Sequence, residues 1–102
     1  MLDLQSEVKP KTAHRIETMA GFYPNKETFV QDILDYKITD LRRGSFNMRL
    51  DLQEYEEQYD MTTETFYAQF VNGEVDDRET YMLWAGIYEM WLSCEAQLQK
   101  LT

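Results

Sequence analysis

The chain has 102 residues, with 10 Lys and Arg against 19 Asp and Glu and a formal net charge of -9 at pH 7. This length suits one domain with an extension and excludes two full-sized domains. With 43% hydrophobic and 14% aromatic residues, the sequence is too rich in core-forming side chains for a disordered acidic tail. The overall charge argues against nucleic acid as a partner, because binding to phosphates needs clustered Lys and Arg.

The cysteine content and the lack of long apolar segments predict a cytoplasmic protein. Cys94 is the only cysteine, so no internal disulfide can form and a reducing compartment is expected. No apolar stretch approaches the roughly 18 to 20 residues that cross a bilayer. The N-terminus also lacks the apolar run of a secretory signal. We therefore expect no membrane partner.

The charge is divided unevenly along the chain. Residues 1–43 hold seven basic and seven acidic side chains, whereas residues 44–102 hold three basic and twelve acidic ones. Such an asymmetry suggests two functions on one chain. We predict one domain over 1–44 and an acidic, aromatic-rich, helical partner-binding region over 45–102. Gly44 and Ser45 lie at the boundary of these two regions and predict a change of helix direction there.

The first predicted element is a strand over residues 2–8. Its side chains alternate in polarity, with Leu2, Leu4, Ser6 and Val8 on one face and Asp3, Gln5 and Glu7 on the other. A lone strand leaves its backbone donors and acceptors unpaired, and no second strand is evident in the sequence. Pairing with the same strand of a second copy satisfies them, which predicts a homodimer.

Two helices are predicted next. Pro10 suits a first helical turn and Gly21 suits a helix C-terminus, so the first helix lies between them. Asn25 is a good N-cap for the second, which ends at Arg42 and Arg43. Its apolar residues recur with a helical period: Phe29, Val30, Ile33, Leu34, Ile38 and Leu41.

About three further helices are predicted after Gly44. The third helix carries a stripe of Met48, Leu52, Tyr55 and Tyr59. A short helix follows Thr62 or Thr63 and stops at Asn72-Gly73. The last helix, opening near Asp76, carries two apolar stripes. The aromatic stripe is Tyr81, Trp84, Tyr88 and Trp91, and the aliphatic stripe is Leu83, Ile87, Met90, Cys94, Leu98 and Leu101.

Residues 2–43 resemble a ribbon-helix-helix domain, in which two chains pair their strands over four intertwined helices. The matching features are the alternating strand, Val8-Lys9-Pro10 entering a helix, Gly21, and the Asn25-capped helix that begins Lys26-Glu27. The fold class predicted from this resemblance is mainly α with one short N-terminal strand. The dimer core that it implies is Leu2, Leu4, Val8, Ile16, Phe29, Ile33 and Leu34.

Proteins of this family are commonly DNA-binding repressors, and many are antitoxins of bacterial toxin–antitoxin pairs that also repress their own operon. In the family the ribbon enters the major groove. The resemblance implies that residues 1–44 are a dimerisation and candidate DNA-binding domain in which Asp3, Gln5 and Glu7 contact bases. It implies phosphate contacts by Lys9, Lys11, Asn25 and Lys26. Dimerisation without DNA binding is the alternative.

By analogy with antitoxins, the acidic C-terminal region is predicted to neutralise a basic toxin, often a nucleic-acid-acting enzyme. The predicted partner-binding residues are Tyr81, Trp84, Tyr88, Trp91, Glu54 and Glu57. In the alternative interpretation the aromatic residues form the core of a helical hairpin with Phe66 and Phe70, and the carboxylates are a solvated face. A repressor without a toxin partner, or a helical adaptor without a DNA role, are the alternative functions.

No catalytic constellation is evident. One His and one Cys give no zinc-type ligand spacing. There is no Gly-rich phosphate loop, and no Ser lies beside a plausible base. We predict that His14 is solvated and Cys94 is packed, and that the protein is not an enzyme and has no metal or cofactor.

Overall fold

A computed structural model describes residues 7–102, and four helices lie wholly within that range. They are α1 (Pro10–Ala20), α2 (Lys26–Tyr59), α3 (Thr63–Val71) and α4 (Glu79–Leu101). The contacts divide the chain into two compact units, Met1–Lys37 and Ile38–Thr102.

The prediction of a mainly α protein is confirmed, but the predicted ribbon-helix-helix fold is wrong. Residues 7–102 contain no strand. Most of the predicted strand over 2–8 lies outside the described residues; at its end Glu7 is helical and Val8 lies in a bend. A seven-residue alternation is a short signal, and helical hydrogen bonds satisfy a backbone locally, with no partner strand.

The predicted change of helix direction at Gly44-Ser45 is also wrong, because α2 runs through both residues as one helix of 34 residues. A single helical glycine costs only about 1 kcal/mol relative to alanine. The inward positions keep their register across it: Leu41, Ser45, Met48, Leu52, Tyr55 and Tyr59 are spaced alternately four and three residues apart. Burial along that stripe holds the helix together. The functional division at residue 44 stays a prediction.

The predicted N-cap of α2 is confirmed, and of the two candidates for α3, Thr62 and Thr63, the cap is Thr62. The Asn25 side-chain oxygen accepts from the Thr28 N–H at 2.8 Å, and the Thr62 hydroxyl accepts from the Thr65 N–H at 3.2 Å. The last helix begins at Glu79, with Arg78 at its N-cap position. Asp76 does not cap it, because its carboxylate binds Arg78 instead.

Two helices end in the same type of turn. After α2, Asp60 has a φ of 51°, and after α3, Gly73 has a φ of 72°. In each case the next N–H bonds back to the carbonyl five residues earlier, at 3.2 Å for Met61 and 2.9 Å for Glu74. This Schellman arrangement requires a left-handed residue, for which glycine is preferred.

Asp60→Gly is therefore expected to raise the free energy of unfolding by about 0.5–1 kcal/mol. Glycine adopts positive φ without steric cost, and the change removes a carboxylate from the negative end of the helix dipole. Urea denaturation followed by circular dichroism measures the change. Gly73→Ala is the matched control and should lower stability by about 1 kcal/mol; effects of the same sign in both variants would contradict the assignment.

The first unit contains α1 and the first turns of α2. Of its described residues, only Ala13 and Phe29 are buried. Tyr23 lies against the Phe29 ring, with ring centroids 5.4 Å apart, and its hydroxyl donates to Asp32. That hydrogen bond raises the pKa of Tyr23. The large apolar side chains left exposed are Met19, Phe22, Val30, Ile33 and Tyr36.

In the second unit, the C-terminal half of α2 packs antiparallel to α4. Tyr59 and Tyr55 lie against Trp84, whereas Ser45 bonds Glu95 further along α4. The buried cluster consists of Leu52, Phe66, Trp84 and Ala85. Three helices therefore contribute to one core.

Candidate functional site

The aromatic stripe of α4 faces the core of the second unit. Trp84 is 1% exposed and stacks on Phe66 with ring centroids 3.8 Å apart. Its indole N–H donates to the hydroxyl of the fully buried Thr63 at 3.1 Å. The structure thus places Trp84 where no partner reaches it, while the other predicted members of the stripe, Tyr81, Tyr88 and Trp91, are half-buried around it.

The aliphatic stripe of the same helix is divided between core and solvent. Cys94 is buried, and its thiol donates to the Leu41 carbonyl at 3.2 Å. Leu83 and Met90 are more than half exposed. Aromatic side chains occupy the inward side because their large apolar area gains most from burial.

An acidic face lies on the outer side of α2, away from Leu52. We define it as Asp51, Glu54 and Glu57 of α2 together with Asp60 in the turn that follows, all of which are exposed. None of the four carboxylates makes an ion pair or hydrogen bond within the part of the chain that the structure describes. Both predicted partner-binding carboxylates, Glu54 and Glu57, thus lie on one solvent-exposed surface.

The neighbouring Glu56 has a structural role instead. It is half-buried, and its carboxylate accepts from the N–H of Thr63, the first residue of α3, at 2.8 Å. The first N–H groups of a helix have no partner inside the helix, and a carboxylate there also meets the positive end of the helix dipole. Glu56 therefore joins α2 to α3.

Sequence reasoning missed a groove between α2 and α4, which we call the arginine groove. It has a volume of about 470 Å³ and is lined by Arg42, Ser45, Phe46, Arg49, Trp91, Glu95 and Leu98. Its two walls are formed by residues 42–49 of α2 and residues 91–98 of α4. Because about fifty residues separate these segments, no local sequence motif indicates the groove. The only sequence signal is that Arg42 and Arg49 lie seven residues apart.

The DNA-binding role of the seven residues named for it stays a prediction. Asp3 and Gln5 lie outside the described residues, and Glu7, Lys9, Lys11 and Lys26 are exposed. Asn25 uses its side-chain oxygen to cap α2.

The predicted dimer-core residues differ in burial. Leu2 and Leu4 lie outside the described residues. Phe29 is buried within its own unit, Val8, Ile16 and Leu34 are half-buried, and Ile33 is 45% exposed. Ile33 is the one described member of the set that solvent reaches freely.

Within residues 7–102, no group of three or more His, Cys, Asp and Glu side chains is arranged to hold a metal ion. No described helix combines the length and the apolar character needed to span a membrane. His14 is exposed on α1.

Asp76 and Arg78 form a close surface pair before α4. Both guanidinium contacts are short, at 2.8 and 2.7 Å, and the Arg78 N–H adds a third hydrogen bond at 3.1 Å. These hydrogen bonds lower the pKa of Asp76 from 3.8 to about 2. The pair therefore stabilises the fold above pH 3.8, and that contribution is lost as the pH falls through about 2.

Arg78→Gln is expected to raise the pKa of Asp76 towards 3.8, because it removes the charged donors. An NMR titration of the Asp76 carboxyl carbon measures this value. Arg78→Lys, which keeps the charge but loses the two-pronged contact, should give an intermediate value. An unchanged pKa in Arg78→Gln would show that the backbone N–H alone sets it.

Comparison with models of known protein families, with characterised proteins and with solved structures gave no significant match to this chain.

Proposed function

We propose that this protein is a non-enzymatic, antitoxin-like binding protein whose acidic C-terminal helices neutralise a basic protein partner. The observation that carries the proposal is the acidic face, because its four carboxylates are exposed and unpaired among the described residues. Unpaired carboxylates keep their full interaction capacity for the Lys and Arg side chains of a partner.

The charge of the whole second unit supports the same partner. Residues 38–102 hold thirteen acidic and five basic side chains. A surface of one sign attracts an oppositely charged protein over distances of about a Debye length and accelerates association. Electrostatic complementarity of this kind also disfavours partners of like charge.

The aromatic core gives the acidic face a fixed geometry. Leu52 is fully buried on the opposite side of α2, and Tyr55 stacks on Trp84 with centroids 5.5 Å apart. A helix held in this way presents its carboxylates with little ordering cost on binding. A basic enzyme that acts on nucleic acid is the fitting target, because carboxylates at helical spacing can occupy a groove built for phosphates.

The first test is whether a small basic protein is encoded beside this chain; an isolated gene would contradict the proposal. Binding to such a protein is then measured by biolayer interferometry. Neutralising the acidic face with Asp51→Asn, Glu54→Gln and Glu57→Gln should weaken binding at least about tenfold. Glu74→Gln, Asp77→Asn and Glu79→Gln form the matched control, because they remove the same charge from exposed positions elsewhere. Equal losses in the two triple variants would show that net charge, and not the acidic face, determines binding.

We also propose that two copies associate through the first unit. Val30 and Ile33 are 54% and 45% exposed on one side of α2. Packing them against a second copy would remove their apolar surface from water, which favours association. Val30→Lys with Ile33→Lys is expected to convert a dimer into a monomer in sedimentation equilibrium, whereas Gln31→Lys should leave the dimer intact. A monomeric parent protein at micromolar concentration would refute the association.

A further inference from the structure

We infer that the arginine groove binds an acidic amphipathic helix of a different protein, with Arg42 and Arg49 pairing with its carboxylates. This site goes beyond the proposed function, because it is cationic and shares no residue with the acidic face. Arg42 and Arg49 are two of the five basic residues in a unit that carries thirteen acids. Their placement along one groove gives that groove a charge opposite to that of its surroundings.

The groove continues beyond the end of the three-helix core. Ring contacts between α3 and α4 run from Tyr81 to Tyr88. With nine residues, α3 is about 13.5 Å long, while the 23 residues of α4 extend over about 34.5 Å. The groove lies further along α4, from Trp91 to Leu98, and no residue of α3 lines it. The space between α2 and α4 is thus filled by a third helix at one end and open at the other.

Arg49 is held in position without its hydrogen bonds being satisfied. Its guanidinium lies over the Trp91 ring, 5.6 Å from the centroid. Its ion pair with Glu56 is 3.9 Å long, too long for a hydrogen bond. Its Nη1 atom is buried and has no hydrogen-bond partner among the described residues, while the side chain as a whole is 37% exposed. Buried donors without acceptors are rare in native proteins, and the exposed part of the side chain gives a carboxylate a route to this guanidinium.

The other charged groups of the groove leave a net positive charge. Arg42 is exposed and makes no ion pair within the described residues. Among the described residues, Glu95 is the only acid that lines the groove, and its carboxylate accepts from the Ser45 hydroxyl at 3.1 Å. Within the lining, an acidic ligand therefore meets two arginines against one carboxylate, while Glu56, which does not line the groove, lies 3.9 Å from Arg49.

The spacing of the arginines defines the ligand. Seven residues of helix correspond to about 10.5 Å, so carboxylates at positions i and i+7 of a partner helix match Arg42 and Arg49. Between the arginines, Phe46 is 63% exposed and offers an apolar contact for residues i+3 and i+4 of that helix. The groove thus fits an amphipathic helix with an acidic edge.

A second copy of this chain is a poor occupant. The only pair of acidic residues seven positions apart in the sequence is Glu57 and Glu64. The turn between α2 and α3 separates them, so no single helix presents the pair. The matching helix therefore belongs to another protein.

The test is isothermal titration calorimetry of the full chain with a designed helical peptide. The peptide carries Glu at i and i+7, Leu at i+3 and Phe at i+4 in an alanine- and glutamine-rich background. It is expected to bind at least about tenfold more tightly than the same peptide with Gln in place of both Glu residues. Equal affinities for the two peptides would overturn the proposal.

Variants of the protein locate the site. Arg42→Glu should weaken binding of the Glu peptide at least about tenfold, and a peptide with Lys facing position 42 should recover it. Arg42 is exposed and makes no ion pair within the described residues, so this variant is expected to keep the parent circular dichroism spectrum. Arg43→Glu is the matched control, since Arg43 is exposed but does not line the groove.

Two results would overturn this assignment. One is an equal loss of peptide binding in Arg42→Glu and Arg43→Glu, which would show that binding depends on the overall charge and not on the groove. The other is a parent chain that self-associates in sedimentation equilibrium and an Arg42→Glu variant that does not. That result would show that a second copy of this chain occupies the groove. The acidic-face variants should bind the peptide as the parent does, so this test and that of the proposed function are independent.

Discussion

Replacing Trp84 with alanine is expected to lower the free energy of unfolding of the second unit by about 3–5 kcal/mol. The indole is 1% exposed and stacks on Phe66 and Tyr55. Its removal leaves a cavity where three helices meet, and the surrounding rings cannot fill it without leaving their own packing. Urea denaturation followed by circular dichroism measures the loss.

Two comparisons separate the contributions to this effect. Trp91→Ala should cost less, because Trp91 is half-buried beside the open groove. Thr63→Val keeps the indole in place but removes the acceptor of its N–H, and about 1–3 kcal/mol should be lost. Thr63→Ser, which keeps the hydroxyl, should stay closer to the parent. A loss under about 1 kcal/mol for Trp84→Ala would contradict the packing described here.

Leu52→Ala is expected to destabilise the same unit by about 2–5 kcal/mol. Leu52 is fully buried in the cluster that contains Phe66 and Trp84. Leu50, two residues earlier on the same helix, is 44% exposed and provides a control with the same chemistry and helix propensity. Leu50→Ala should change stability by about 0.5 kcal/mol or less.

The difference between the two leucine variants also tests the register of α2. Positions two residues apart lie about 200° apart around a helix, so only one of the two leucines can face the core. Similar losses in Leu50→Ala and Leu52→Ala, again measured by urea denaturation, would contradict the inward placement of Leu52.

The N-caps at Asn25 and Thr62 and the stop at Gly73 were the most predictable part of the fold, because they depend on neighbouring residues alone. The predicted end of a helix at Arg42 and Arg43 is wrong, because α2 continues to Tyr59. Asn25 and Thr62 cap helices through bonds to N–H groups three residues ahead. Gly73 ends α3 with positive φ, as expected for an Asn-Gly stop.

The two errors have a common origin. Both the strand over 2–8 and the turn at Gly44 were inferred from short local patterns, whereas burial over longer stretches decides such cases. At Gly44 the inward stripe from Leu41 to Leu52 continues without a break, and its burial outweighs one weak helix former. The resemblance to a ribbon-helix-helix domain depended on the predicted strand.

The candidate sites differ in how far they can be predicted from the sequence. The acidic face follows from the composition of residues 51–60, and Glu54 and Glu57 were predicted from it. The orientation of α4 was not decided by its sequence, because both of its stripes are apolar. The arginine groove depends on the pairing of Ser45 with Glu95, a contact between residues fifty positions apart.

The two tryptophans occupy contrasting environments, and this has a spectroscopic consequence. Trp84 is shielded from water against Phe66, whereas Trp91 borders the open groove. The intrinsic emission of Trp84 should lie at shorter wavelength and resist quenching by iodide, while that of Trp91 should be red-shifted and quenched. Trp84→Phe leaves Trp91 as the single tryptophan, and its emission would report on the groove. Trp91→Phe leaves Trp84, whose emission would report on the core.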